Sequence, residues 1–190
     1  KLFECCSFEF TVQKHYWNNT ICISKNYKKT KRKRNKKHKL KKMQEDYILI
    51  TLADDDEDDR LFFTDAFDEL KINTVVNTVK NGRELINFLD HPETVLPNII
   101  FLDLNMPILN GIECLKEIKL NDRFKDIAIA IYSTSSSEAD VENTFVLGAN
   151  IYIKKPSNFN DLKKILSDVV TINWQYHTSG LNKDNFLLRL

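Results

Sequence analysis

The chain lacks any apolar run close to the roughly 20 residues that a membrane-crossing helix needs, so no such span is expected. Its first residues lack the succession of basic stretch, apolar core and small-residue cleavage site, so a signal peptide is not expected either. Cysteine is confined to Cys5, Cys6, Cys22 and Cys114. Adjacent Cys5 and Cys6 match no zinc spacing, and no histidine follows at finger distance. His15, His38, His91 and His177 show no ligand spacing among themselves. Cys114 falls in a helical pattern, where a small buried hydrophobe accounts for it. Nothing demands an oxidising compartment, and the cytoplasm is the expected location. Net charge is also nearly absent, at +1 over 190 residues. That balance conceals an asymmetry: residues 1–43 hold 14 Lys and Arg against 2 acidic residues, whereas residues 44–190 hold 14 against 25. A basic arm is joined to an acidic body.

The arm, residues 1–43, includes Lys28-Lys29-Thr30-Lys31-Arg32-Lys33-Arg34-Asn35-Lys36-Lys37-His38-Lys39. Such a run cannot bury a core and is expected to be solvated and disordered. It can attract nucleic acid by releasing counterions from phosphates, or it can lie on anionic lipid. It can also lie outside the working protein. No Gly, Ala, Pro or Met precedes Met43, and the Lys-, Asn-, Ile- and Phe-rich composition reads as translated sequence upstream of a start at Met43. Composition favours that last reading, with an idle arm next and a dedicated nucleic-acid tail third.

From Tyr47 the chain alternates strand-like and helix-like periods five times. Tyr47–Leu52 is a short apolar run, followed by Glu57–Leu70 with Leu61, Phe62, Ala66, Phe67 and Leu70 at helical spacing. Thr74–Val79 is strand-like, and Asn81-Gly82 turns into a helix carrying Leu85, Ile86, Phe88 and Leu89. Ile99–Leu102 is a strand, and Gly111–Leu120 a helix with Ile112, Leu115 and Ile118 on one side. Ile127–Tyr132 is a strand, Glu138–Leu147 a helix closed by Gly148, and Ile151–Ile153 a strand. Asn160–Val170 is the last helix, with Leu162, Ile165, Leu166 and Val169 inward. Apolar strands separated by helices predict an α/β, doubly wound parallel sheet covered on both faces. Ligands of such folds bind at the carboxyl ends of the strands.

Those ends are dense in chemistry. The first strand is followed by Asp54, Asp55, Asp56, Glu57, Asp58 and Asp59, and the third by Asp103-Leu104-Asn105-Met106-Pro107. Ser133 and Thr134 follow the fourth, and Lys154, Lys155 and Pro156 the fifth. Clustered carboxylates repel unless a positive charge joins them. A hard divalent cation with oxygen ligands answers that need, and Mg²⁺ tolerates few protein ligands plus waters. Asp56, Glu57, Asp58 and Asp59 are expected as first-turn residues favoured by the helix dipole, not as ligands. A calcium loop is rejected because Asp59 stands where its glycine is needed. Period-two alternation turns Lys155 inward and Lys154 to solvent.

Over roughly residues 46–171 this ordered set resembles the receiver domains of two-component response regulators. Asp54 and Asp55 match the acidic pair, Asp103 in Phe-Leu-Asp-Leu-Asn-Met-Pro the phosphoacceptor, and Asn110-Gly111 follows in pattern. Ser133, 30 residues on, matches the switch hydroxyl; Lys155, 22 further, the basic residue; Tyr152 the rotameric aromatic. The acidic stretch and Ser-Thr-Ser-Ser-Ser after the fourth strand resemble small stand-alone receivers of the chemotaxis type, some of which serve phytochrome-type kinases.

The resemblance implies a flavodoxin-like (βα)5 fold with a five-stranded sheet in the order 2-1-3-4-5. The receiver would occupy residues 44–172, followed by a tail over 173–190. Asp103 would accept a phosphoryl group from a histidine of a sensor kinase, with Mg²⁺ held by Asp55, Asp103 and the Asn105 carbonyl and Asp54 reached through water. Lys155 and Ser133 would contact phosphoryl oxygens. Ser133 drawn inward would let Tyr152 rotate inward and remodel the surface of the fourth helix, fifth strand and fifth helix, where a downstream protein binds. The Lys155–Pro156 peptide would be cis. Asn105 and Ser135 occupy positions that affect phosphate lifetime in relatives. A phosphatase of the haloacid dehalogenase class also uses an Asp nucleophile, but the second Asp of its D-x-D is Asn105 here, so a switch and not a turnover enzyme is expected. A phosphorelay intermediate that passes the group to a histidine phosphotransfer protein is the alternative. No DNA-binding output unit fits after residue 171. Trp174 and Phe186 are expected to dock the tail on the body, leaving a monomer or weak homodimer.

Overall fold

A computed structural model describes residues 47–176 and 187–188, with side chains described as far as residue 171. Expectations placed on the basic arm, on Phe186 and on the side chain of Trp174 lie outside the described residues. The described elements are β1 (Ile48–Ala53), α1 (Glu57–Leu70), β2 (Thr74–Val79), α2 (Gly82–Asp90), β3 (Ile99–Leu102), α3 (Gly111–Leu120), β4 (Ala128–Ser133), α4 (Glu138–Val146), β5 (Ile151–Lys154), α5 (Phe159–Tyr176) and β6 (Leu187–Leu188).

The strands pair in parallel in the order β2-β1-β3-β4-β5-β6. The first five reproduce the expected 2-1-3-4-5 order. A two-residue strand, β6, is added at the β5 edge and pairs through Tyr152↔Leu187 and Ile153↔Leu188. An edge strand offers a row of unpaired N–H and C=O groups, and two residues suffice to occupy part of it. Such a short pairing leaves no periodicity to read. The last helix likewise runs past Val170 to Tyr176, since no glycine or proline intervenes before Gly180 to stop it.

Alternation along each strand divides the core in two. Ile99 and Phe101 of β3 join Ile50 and Leu52 of β1 against Phe63, Ala66 and Phe67 of α1 and Leu162, Ile165, Leu166 and Val169 of α5. Ile100 and Leu102 point the other way, to Leu85, Ile86 and Leu89 of α2 and Leu115 and Ile118 of α3. Period two is what lets one strand feed both layers. On α1 the buried stripe is Phe63, Ala66 and Phe67, while Leu61 and Phe62 are more than half exposed. This corrects the expected face: Phe63 stands three and four residues before Ala66 and Phe67, and its ring meets Phe101 edge-on at 4.9 Å.

Three local devices set the strand-end loops. Asp56 caps α1, its carboxylate accepting from the N–H groups of Asp58 and Asp59 at 2.9 and 3.1 Å. Asn110 and Glu113 form a reciprocal capping box at the start of α3. Gly111 lies so near the β3 end that an added Cβ would stand 2.1 Å from the Asp103 carbonyl oxygen, and its N–H donates to the Leu104 carbonyl at 3.0 Å. Only a residue without a side chain allows that approach.

Candidate functional site

β1 and β3 are neighbours in the sheet while their following helices cover opposite faces, so a crevice opens beyond their carboxyl ends. Asp54, Asp55 and Asp103 stand there. Asp54 is wholly buried. Its N–H donates to the Val79 carbonyl at 3.1 Å, its Oδ1 accepts from the Asp56 N–H at 3.1 Å, and its carbonyl accepts from Arg60 Nη1 at 2.7 Å. Asp103 is anchored by its N–H on the Ala53 carbonyl at 3.0 Å. Its Oδ1 accepts from the Asn105 N–H at 3.3 Å.

Lys155 reaches into this group from the end of β5, its own N–H continuing the ladder to the Ser133 carbonyl at 2.8 Å. Its Nζ donates to Asp59 Oδ2 at 2.7 Å and to Asp103 Oδ2 at 3.1 Å. It also lies 2.7 Å from Asp54 Oδ2 as an ion contact. No hydrogen bond of good direction reaches that buried oxygen. Lys154 is exposed and the Lys155 side chain is 8% exposed, as the alternation predicts. The Lys155–Pro156 peptide is trans, not cis as the resemblance implies; trans is the lower-energy isomer even before proline, and the ammonium is placed by its carboxylates.

The electrostatics follow from burial and crowding. Burial pushes the Asp54 carboxyl up to about 6, against the pull of Lys155, and the charge of Asp103 adds to the rise. For Lys155 burial works downward, but its contacts with Asp54, Asp59 and Asp103 outweigh it and hold the ammonium above the usual lysine range. One cation therefore faces four carboxylates, counting Asp55. Ligand oxygens of Asp54, Asp55 and Asp103 lie within 4.8 Å of one another. A hard, all-oxygen donor set that includes a buried oxygen lacking a hydrogen bond fits a divalent cation.

The expected switch residues lie behind this crevice. Ser133 is fully buried at the end of β4, and its Oγ accepts from the Ser135 N–H at 3.3 Å. The hydroxyl bearer that lines the open cleft is its neighbour Thr134, together with Asp55, Asp59, Asp103 and Lys155. Tyr152 is buried in the core on the α2–α3 side. Its hydroxyl donates to the Ser135 carbonyl at 3.0 Å. The ring thus lies inward, where its phenol has an acceptor. Ser135 in turn donates to Asp140 Oδ2 at 2.5 Å. Asn105 is exposed beside Asp103.

Residues 50–167, more than half of the chain, match the model of the response regulator receiver domain. The chain belongs to the response regulator receiver family. This receiver is 30% identical over 125 residues to Response regulator Rcp1 of Synechocystis sp., covering 64% of this chain and 85% of that one. It is 28% identical over 128 residues to the Probable methanogenesis regulatory protein FilR2 of Methanothrix harundinacea, covering 66% and 83%. Among solved structures, the phosphorylated cyanobacterial phytochrome response regulator RcpA matches with a TM-score of 0.64 at 29% identity, over 70% of this receiver and 97% of that chain. The Mn(2+)-bound form of Rcp1 matches with a TM-score of 0.61 at 29% identity, over 71% and 99%.

Membership makes the receiver a signalling switch with an acidic pocket able to hold a divalent metal. Among the described residues no helix is long and apolar enough to cross a membrane. Sequence reasoning missed Asp59 as a member of the receiver's site. The available signal was the cap: with Asp56 at the N-cap, Asp59 occupies the third position of the first turn, close to the strand ends.

Proposed function

We propose that this receiver accepts a phosphoryl group on Asp103 from the phosphohistidine of a sensor histidine kinase in the cytoplasm, and that the modification switches its binding of a downstream protein. The observation that carries the reading is the Asp103 carboxylate, held at 3.1 Å from Lys155 Nζ and grouped with Asp54 and Asp55. In the transfer, an Asp103 carboxylate oxygen forms a bond to phosphorus as the phosphorus–nitrogen bond breaks, and the electron pair returns to the imidazole. Such a reaction depends on positioning and charge neutralisation more than on covalent machinery.

Lys155 then neutralises a phosphoryl oxygen, and a β4-end hydroxyl, Ser133 in our reading, hydrogen-bonds another. Mg²⁺, held by Asp55, Asp103 and the Asn105 carbonyl with Asp54 reached through water, would neutralise the charge gathered around the phosphoryl group. Because Tyr152 already lies inward, phosphorylation acts by holding a position the resting protein can adopt. The readout passes across α4, β5 and α5 to the partner.

Intact mass after incubation with acetyl phosphate tests the proposal, with Mg²⁺ or with EDTA, beside Asp103→Asn. We expect the wild type to gain one phosphoryl group only with Mg²⁺, and the variant none. A folded wild type that gains nothing from acetyl phosphate or from a histidine kinase overturns the reading.

A further inference from the structure

We propose that Asp59 is a positioning residue for phosphoryl transfer: an anionic placeholder that holds the Lys155 ammonium in the resting receiver and yields it to the incoming phosphoryl group. This rests on the phosphoryl-transfer reading above. Lys155 Nζ divides its hydrogen bonds between Asp59 Oδ2 at 2.7 Å and Asp103 Oδ2 at 3.1 Å, with Asp54 Oδ2 beside it at 2.7 Å. An ammonium has three donors, so contact with a phosphoryl oxygen draws on a group already engaged by three carboxylates.

The three partners are not equally easy to leave. Asp54 is wholly buried, so water cannot take the place of the lysine beside it. Asp103 is the acceptor itself and stays in place. The Asp59 side chain is 37% exposed, so water can replace the lysine at little cost. Its charge is also supported by the first turn of α1 whether or not the lysine is present. Asp59 is therefore the partner that is released, and its hold on Lys155 opposes the phosphorylated state.

Beryllofluoride, which stands in for a phosphoryl group on the acceptor carboxylate, reads this competition as an equilibrium. With Mg²⁺ present and affinity measured by calorimetry, Asp59→Asn is expected to bind it about fivefold tighter than wild type, as fits an ion pair at this exposure. Asp59→Ser must show the same tightening, and Asp59→Glu must restore most of the wild-type affinity. A merely structural role does not tighten binding. In a Lys155→Met background the Asp59→Asn effect should vanish, because Asp59 acts through the lysine. Unchanged or weaker binding by both folded neutral variants, where wild type binds, overturns the placeholder and leaves the phosphoryl-transfer reading standing. Tightening that persists without Lys155 also overturns it. Failure of wild type to bind beryllofluoride at all overturns both.

Discussion

Asp54 combines full burial with a carboxyl held up at about 6, burial being the main cause. In metal-free protein the folded state thus keeps this proton more readily than the unfolded chain does. Its contribution to stability is greatest below the ordinary aspartate value and is lost as pH rises through about 6, a change on the order of 3 kcal/mol. A divalent cation needs the ionised carboxylate and must displace that proton. Its apparent affinity should therefore fall as pH drops below about 6, approaching tenfold per unit. Mg²⁺ titrations at pH 7 and pH 5 check this, and equal affinities would place the cation away from Asp54. Asp54, Asp55, Asp103 and Lys155 were legible in the sequence because each lies within two residues of the end of an apolar run. The bond from Lys155 to Asp59 was not, since it joins residues 96 apart through side chains of a helix turn and a strand end.

α1 shows why elements are easier to locate than to orient. Leu61, Phe62 and Phe63 are consecutive, so two overlapping stripes satisfy helical spacing, and only contact with the sheet selects one. Phe63 lies among Phe67, Phe101 and Tyr132 at ring distances of 4.9 to 5.8 Å, while Phe62 is more than half exposed beside Phe159. Phe63→Ala should cost about 4 kcal/mol and Phe62→Ala less than about 1 kcal/mol. Urea denaturation of the two variants decides it; equal losses would mean that α1 is rotated on the sheet. The strands needed no such choice, because their runs are apolar on both faces and their order follows from the alternation with helices. β6 escaped notice because two leucines carry no period.

At the scale of the whole molecule, a ligand that binds only the folded state adds its binding free energy to stability. Mg²⁺ at a hundredfold above its dissociation constant should contribute about 2.7 kcal/mol and raise the Tm by about 5–10 °C relative to EDTA. Thermal denaturation followed by circular dichroism measures it, and an unchanged Tm would remove the cation from the crevice. The sheet order has a further consequence. The clustered aspartates follow the first and third strands, while their counter-charge follows the fifth. A chain emerging from the ribosome, or one whose β5 has peeled away, possesses every aspartate yet lacks the ammonium that makes their closeness tolerable. The charge balance of the crevice is therefore complete only once β5 has paired with β4.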